Sequence, residues 1–322
     1  ASRWALAAIL LLALALRLWG LDFGLPHTEA RPDEGLLLHR ALGVAGGDLN
    51  PHFFNYPSLH IYLLAALSGL YYLTCVLTGS ATDVSDFLFR FFVDPSDLYL
   101  MGRALTATMG VATVALVYRA GALLDGSRAG LSAAVLAAGA FLHVRDSHFI
   151  TVDVPATFWA MAALTLAVQH LQDGRRATLI SASFLAGLSA STKYNAILFL
   201  PALLFAALSS PLPGPRSRWV ATALGAWALA FAAGSPFVVL APSSFWADFS
   251  YEWQHFGRGH GVEMGNGWLY HLTVSLRHGL GWPLLSAGML GMLGLLLRRR
   301  PADLLILSAI VAYYVVAGGG GS

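Results

Sequence analysis

Two stretches of this chain have the residue types and spacing to do chemistry at the edge of a membrane. One is Asp33-Glu34, shortly past the first long apolar segment; the other is Asp153, at the mouth of a later one. Carboxylates there are costly to desolvate, so they tend to face water or a substrate. A carboxylate held at such a place can take the proton of a hydroxyl as general base. Each also has a plainer reading. Pro32 favours a helix start and acids favour its first turn, while Asp153 before Pro155 is placed to cap a helix. A cap also fixes a carboxylate in space, so both readings stand together.

Three further groups surround them. The sole lysine, Lys193, follows Ser191-Thr192 and precedes Tyr194-Asn195 at the end of a helical hairpin. It either snorkels to the headgroups or meets a lipid phosphate as a point charge. His143, Arg145, Asp146 and His148 crowd the approach to Asp153. The segment 240–280 carries Glu252, His255, Arg258, His260 and Glu263 among many glycines, which suits a mobile loop over a substrate. Those acids and histidines lack zinc-type spacing such as H-E-x-x-H, so no metal site is expected, and a divalent cation is unsupported as a cofactor.

The elements that must position these residues are membrane helices. Hydrophobic residues make up 57% of the chain and charged residues 11%, about half the charge of a soluble domain. The fold class is therefore all-α, a polytopic transmembrane bundle. Segments of suitable length lie near 3–20, 98–122, 129–145, 154–171, 177–192, 194–209, 219–239, 281–297 and 302–317, about nine spans. The first reads as a retained anchor. A net charge of +2 and no basic run give no nucleic-acid signal, and no Walker loop or Gly-x-Ser-x-Gly occurs. One cysteine, Cys75, forms no internal disulfide.

Short loops with Arg119 and Arg128, Arg175-Arg176, Arg216 and Arg218, and Arg298 to Arg300 mark one face, which the positive-inside rule makes cytoplasmic. Asp33, Asp153, Lys193 and every histidine but His170 then fall at the outer face. Residues 58–78 are long enough to span, but one crossing there would invert all later loops. They are expected to lie as a re-entrant or juxtamembrane helix within an outer region 21–97. The Gly-rich end, 318–322, is expected to be flexible and outside the 1–317 transmembrane domain.

The ordered set Asp33-Glu34, Pro51-His52-Phe53-Phe54-Asn55-Tyr56-Pro57, Ser147-His148 with Asp153-Val154-Pro155, Gly187 with Lys193-Tyr194, and Gly259-His260-Gly261 with Gly281-Trp282-Pro283 resembles a GT-C membrane glycosyltransferase of the family 39 type. That family includes protein O-mannosyltransferases and lipid A aminoarabinose transferases. Two departures stand out: the O-mannosyltransferases typically carry arginine at the position of His148, and no MIR-type soluble domain is visible. The resemblance implies transfer of a sugar from a polyprenyl-phosphate donor to a hydroxyl of a lipid, glycan or protein acceptor, by one inverting displacement at the outer face of a prokaryotic plasma membrane. It implies catalytic roles for Asp33, Glu34 and Asp153, donor phosphate contacts from Lys193 and Arg258, and substrate contacts from His52, Asn55, Tyr56, His148, Tyr194 and His260. The alternative is a polytopic transporter or flippase whose outer carboxylates bind cargo.

Overall fold

The computed structural model describes residues 2–258 and 265–319, with residues 253 and 255–258 as backbone alone. Every regular element among them is helical. Ala- and Leu-rich segments are strong helix formers, and in lipid a helix satisfies its own backbone polar groups. In order the helices are α1 (Ser2–Leu18), α2 (Pro32–Ala45), α3 (Leu59–Leu77), α4 (Val84–Val93), α5 (Ser96–Ala138), α6 (Phe141–Asp146), α7 (Asp153–Asp173) and α8 (Arg176–Ala190). A 3-10 turn, Tyr194–Phe199, then leads into α9 (Leu200–Leu208), followed by α10 (Arg216–Gly234), α11 (Phe237–Leu240) and α12 (Pro242–Arg258). Past the undescribed residues come α13 (Gly267–Tyr270), a π-helical turn His271–Leu276, α14 (Arg277–Arg298) and α15 (Pro301–Gly319). Among the described residues five helices are long and apolar enough to cross a membrane: α3, α5, α7, Gly267–Arg298 and α15.

Hydrogen bonds sort the bundle into two ends. At one, Arg119 donates to Gln169 (2.7 Å) and Gln172 to the Leu123 carbonyl (2.6 Å), while Arg298 and Arg300 pair with Asp125 and with buried Asp303. His170 bonds Ser210 there (2.9 Å), and the Arg216 side chain reaches the Ser210 carbonyl. This is the end that the arginine-rich loops mark. The opposite end gathers the start of α7, the ends of α1, α8 and α10, and all of α2. Among the described histidines His170 alone lies at the arginine end, as the sequence predicts.

Four expected boundaries change. α5 folds back on itself, because Asp125 and Gly126 leave helical geometry, Gly126 at φ 81°. The two limbs touch so closely that a Cβ on Gly130 would lie 2.5 Å from the Tyr118 carbonyl oxygen. The expected span 129–145 is thus the short return limb of this hairpin, broken at Gly139 before α6. The segment 240–280, expected as a glycine-rich loop, is largely helical: Phe245, Asp248, Phe249 and Glu252 fall on one face of α12, and packing of that face outweighs the nearby glycines. Gly318 and Gly319 extend α15 instead of lying outside the fold, and Gly318 is buried where any Cβ would overlap the Trp268 ring at 1.9 Å.

α3 shows why hydropathy misleads here. Its length and composition allow a crossing, yet it begins on the carbonyl of Ser191 and its Tyr71 bonds Asp97 at the start of α5. Both contacts belong to the carboxylate end, so α3 runs across that end. Its core partners are α2, α4 and the first turns of α5, through Leu37, Leu38, Ile61, Leu64, Phe87 and Tyr99.

Candidate active site

Asp33 and Glu34 open α2 behind Pro32 at its first turn, and neighbouring residues on a helix point about 100° apart. That angle separates their fates. Glu34 is fully buried, and Arg103 of α5 grips it with two bonds of 2.8 and 2.7 Å. The Ile150 amide donates a third at 2.8 Å, and Arg103 also donates to the carbonyls of Leu21 and Phe23. Glu34 therefore ties α2, α5, the end of α1 and the entry to α7 into one bracket. Asp33 keeps 45% of its side chain exposed, with Arg31 at 3.8 Å.

Asp153 stands at the first residue of α7 and Lys193 just past α8, 40 residues on, and the antiparallel pairing of the two helices brings them to 2.5 Å. Burial alone would lower the Lys193 ammonium, but the Asp153 carboxylate outweighs it and raises Lys193 above its ordinary value. Lys193 is thus a cation at neutral pH, held by one carboxylate whose side chain is 46% exposed.

A third component, the loop 51–58, lies over this pair. Ser58 donates its amide to Ser235 (2.9 Å) and Ser235 bonds Ser191 (2.8 Å), pinning the loop to the corner that carries Lys193. Phe54 donates its amide to Asp248 and Asn55 its side chain to Glu252, both on α12. Tyr194 closes the junction: its hydroxyl donates to the Phe54 carbonyl, and its ring packs on Phe245 and Phe249. Tyr56 sits amid the charges. Burial and then Asp33 push its phenol above its ordinary value, Lys193 opposes them, and Asp153 and Glu252 add to the rise. Asp33, Asp153, Lys193 and Glu252 therefore all act electrostatically on one side chain.

Other expected site residues are placed differently. His52 lies in the left-handed region (φ 46°) and pairs with Asp48 at 2.9 Å on the exposed rim. Both ring nitrogens of His148 face backbone carbonyls, Val144 at 2.8 Å and Trp19 at 3.0 Å, so its ring straps α6 to the end of α1. His260 lies outside the described residues, and of Arg258 only the backbone is described. Of the four groups weighed as metal ligands, Glu252 bonds Asn55, His255 is described as backbone alone, and His260 and Glu263 lie outside the described residues. No three carboxylate, imidazole or thiol groups gather to hold a metal among the described residues, and Asp153 already faces an ammonium.

The sequence reading missed four residues. Arg103 carried a signal, since a lone arginine inside a span demands a named partner. Tyr313 of α15 carried none: it accepts from Asn195 (2.9 Å), with Lys193 and Asp153 acting on it electrostatically. Asn195 and Asp248 complete the set, the latter hidden in a segment read as a loop.

Comparison with known proteins agrees with this architecture. A profile of the dolichyl-phosphate-mannose-protein mannosyltransferase family matches residues 96–242. No curated protein sequence matches significantly. Among solved structures, the apo oligosaccharyltransferase of Archaeoglobus fulgidus is similar at a TM-score of 0.65 and 15% identity, covering 99% of this chain and 48% of that one. The same enzyme with zinc and sulfate gives 0.61 at 15% identity, covering 98% and 46%. Its complex with an inhibitory peptide and a dolichol-phosphate gives 0.61 at 15% identity, covering 98% and 49%. The chain spans about half the length of these structures, and at this identity the likeness is one of fold. The resemblance read from the sequence thus rests on a family match over part of the chain and a fold shared with an oligosaccharyltransferase over nearly all of it.

Proposed function

We propose that this chain is the membrane part of a GT-C glycosyltransferase that moves a sugar from a polyprenyl-phosphate donor to an acceptor hydroxyl. The observation that carries this reading is the Lys193–Asp153 cation–carboxylate pair at 2.5 Å, held at the same end of the bundle as the half-exposed carboxylate of Asp33. In the reaction, Asp33 takes the acceptor proton as the hydroxyl oxygen attacks the anomeric carbon. The bond from that carbon to the phosphate oxygen breaks, and the lipid phosphate leaves with inversion. A phosphate is already stable as an anion, so it needs a positive partner more than an acid. Lys193 supplies that charge, with Arg258 as a second. Asp153 positions Lys193 and is the alternative base. Glu34 serves as the brace that orients Asp33, and Asn55, Tyr56 and Tyr194 shape the wall around the sugar. No metal takes part in the reaction as written.

We count as crossings α1, both limbs of the α5 hairpin, α7, α8, α9 with its 3-10 turn, α10, α14 and α15, nine in all, with α3 lying across the outer end. The arginine end then faces the cytoplasm of a prokaryotic cell and the site opens on the outer face, where a membrane-tethered donor and the acceptor meet. A transporter would hold its key charges near the midplane; here they cluster at one end of the bundle.

The test is turnover of radiolabelled polyprenyl-phosphate sugars by the purified protein in nanodiscs with lipid, glycan and peptide acceptors. Turnover is expected in the wild type and lost in Asp33→Asn. Unchanged turnover in both Asp33→Asn and Asp153→Asn would sink the assignment.

A further inference from the structure

A cavity of about 670 Å³ opens between the last turns of α3, α4 and the first turn of α5, apart from the Asp33–Asp153–Lys193 site. That volume lies within the range of sites that hold ligands larger than one side chain. Its wall is aromatic: Tyr71 and Phe87 meet edge to face with centroids 5.9 Å apart. Its polar lining carries three carboxylates, Asp86, Asp94 and Asp97, against one guanidinium, Arg90. Each carboxylate is held in place: Asp86 by Arg90 at 3.1 Å, Asp94 by the Ser96 amide at 2.9 Å, and Asp97 by the Tyr71 hydroxyl at 2.5 Å. Hydrogen bonds keep Asp86 and Asp94 below the ordinary carboxylate range, so both are charged at neutral pH. Phe89 and Val93 line the cavity yet stand 67% and 68% exposed, so it opens at the surface and can admit part of a longer molecule.

We propose that this cavity is a subsite for a basic stretch of a polypeptide acceptor, the carboxylates meeting lysine or arginine head groups and the aromatic wall their stems. Aromatic faces and excess negative charge together select a cation on an apolar stem. The proposal rests on the glycosyl-transfer reading for its acceptor. α3 sets the geometry: it starts at the corner holding Lys193, and Tyr71, Thr74 and Cys75 of its last turns, with Thr78 just past its end, line the cavity. At 1.5 Å per helical residue the cavity lies about 18–28 Å from that corner, a reach of roughly five to nine residues of extended peptide. The basic residues therefore sit that far along the chain from the hydroxyl that is modified.

The test separates binding from turnover. Fluorescent peptides without hydroxyl side chains are titrated into the full chain in uncharged detergent, comparing a lysine-bearing peptide with its glutamine counterpart. The lysine peptide is expected to bind about tenfold more tightly. Asp94→Asn with Asp97→Asn should abolish the preference, while Arg90→Gln should strengthen it, a gain that misfolding cannot imitate. Equal binding of the two peptides, a preference that survives the double substitution, or weaker lysine-peptide binding in Arg90→Gln overturns the proposal. So does competition by free spermidine as effective as by the peptide. With hydroxyl-bearing acceptors, KM should fall only when lysine stands within the stated spacing; an effect independent of position overturns the placement. A charge preference without any sugar transfer would keep the subsite and remove the transfer reading, whereas transfer indifferent to charge would do the reverse.

Discussion

The two ends of the bundle use their acidic groups in opposite ways. At the arginine end, Asp125 and Asp303 are each gripped by both Arg298 and Arg300, and Asp303 is completely buried. The network ties the α14–α15 turn to the α5 hairpin and engages both oxygens of Asp125 and of Asp303. At the other end one carboxylate, Glu34, is treated in the same way, while Asp33 and Asp153 stay nearly half exposed around Tyr56. The contrast separates charge that holds helices together from charge held ready. What distinguishes the two is not the residue type but whether arginines engage both oxygens of the carboxylate.

Substitutions can break this contrast. The largest effect is expected for Asp33→Asn, which should lower turnover by about a thousandfold, within the range for a lost general base, while leaving the melting temperature unchanged. Lys193→Met should follow, with a loss of about a hundredfold seen in single-turnover kinetics with saturating acceptor. Arg103→Met strands a buried carboxylate and should destabilise the fold by about 3–5 kcal/mol, read by denaturant unfolding in detergent. Its failure to expose or unfold α2 would show that Glu34 is not the brace described. A subtler effect concerns pH. Because Asp153 raises Lys193 while burial lowers it, Asp153→Asn should move the alkaline limb of activity to lower pH. The smallest change is expected at the far end: Asp303→Asn should lower the melting temperature by a few degrees and leave turnover per folded molecule unaltered.

Much of the candidate site was legible because charge is so scarce in this chain. With one lysine and few carboxylates, loop sidedness alone placed Asp33, Asp153 and Lys193 at the same end, and the structure agrees. Periodicity could not distinguish Asp33 from Glu34, since the difference depends on Arg103, 69 residues away. α12 was hidden for a similar reason: its helix is held by Asp248 and Glu252 on the backbone and side chain of a loop nearly two hundred residues earlier. Hydropathy counted α3 as capable of crossing, whereas its direction follows from where its two ends are bonded. The α5 hairpin was read as two spans joined by a loop; its tight turn at Asp125-Gly126 depends on close backbone approach, which composition does not report.

The bracket around Glu34 has a consequence for side-chain length. The buried partner is the longer acid, able to reach Arg103 and the Ile150 amide at once, and the exposed one is the shorter. Exchanging the two, Asp33→Glu with Glu34→Asp, would preserve charge, composition and hydropathy. Yet the brace would fall short by one methylene, and the exposed carboxylate would gain a rotatable bond just where its reach must be set. A chain with the same formula would then be both looser and slower.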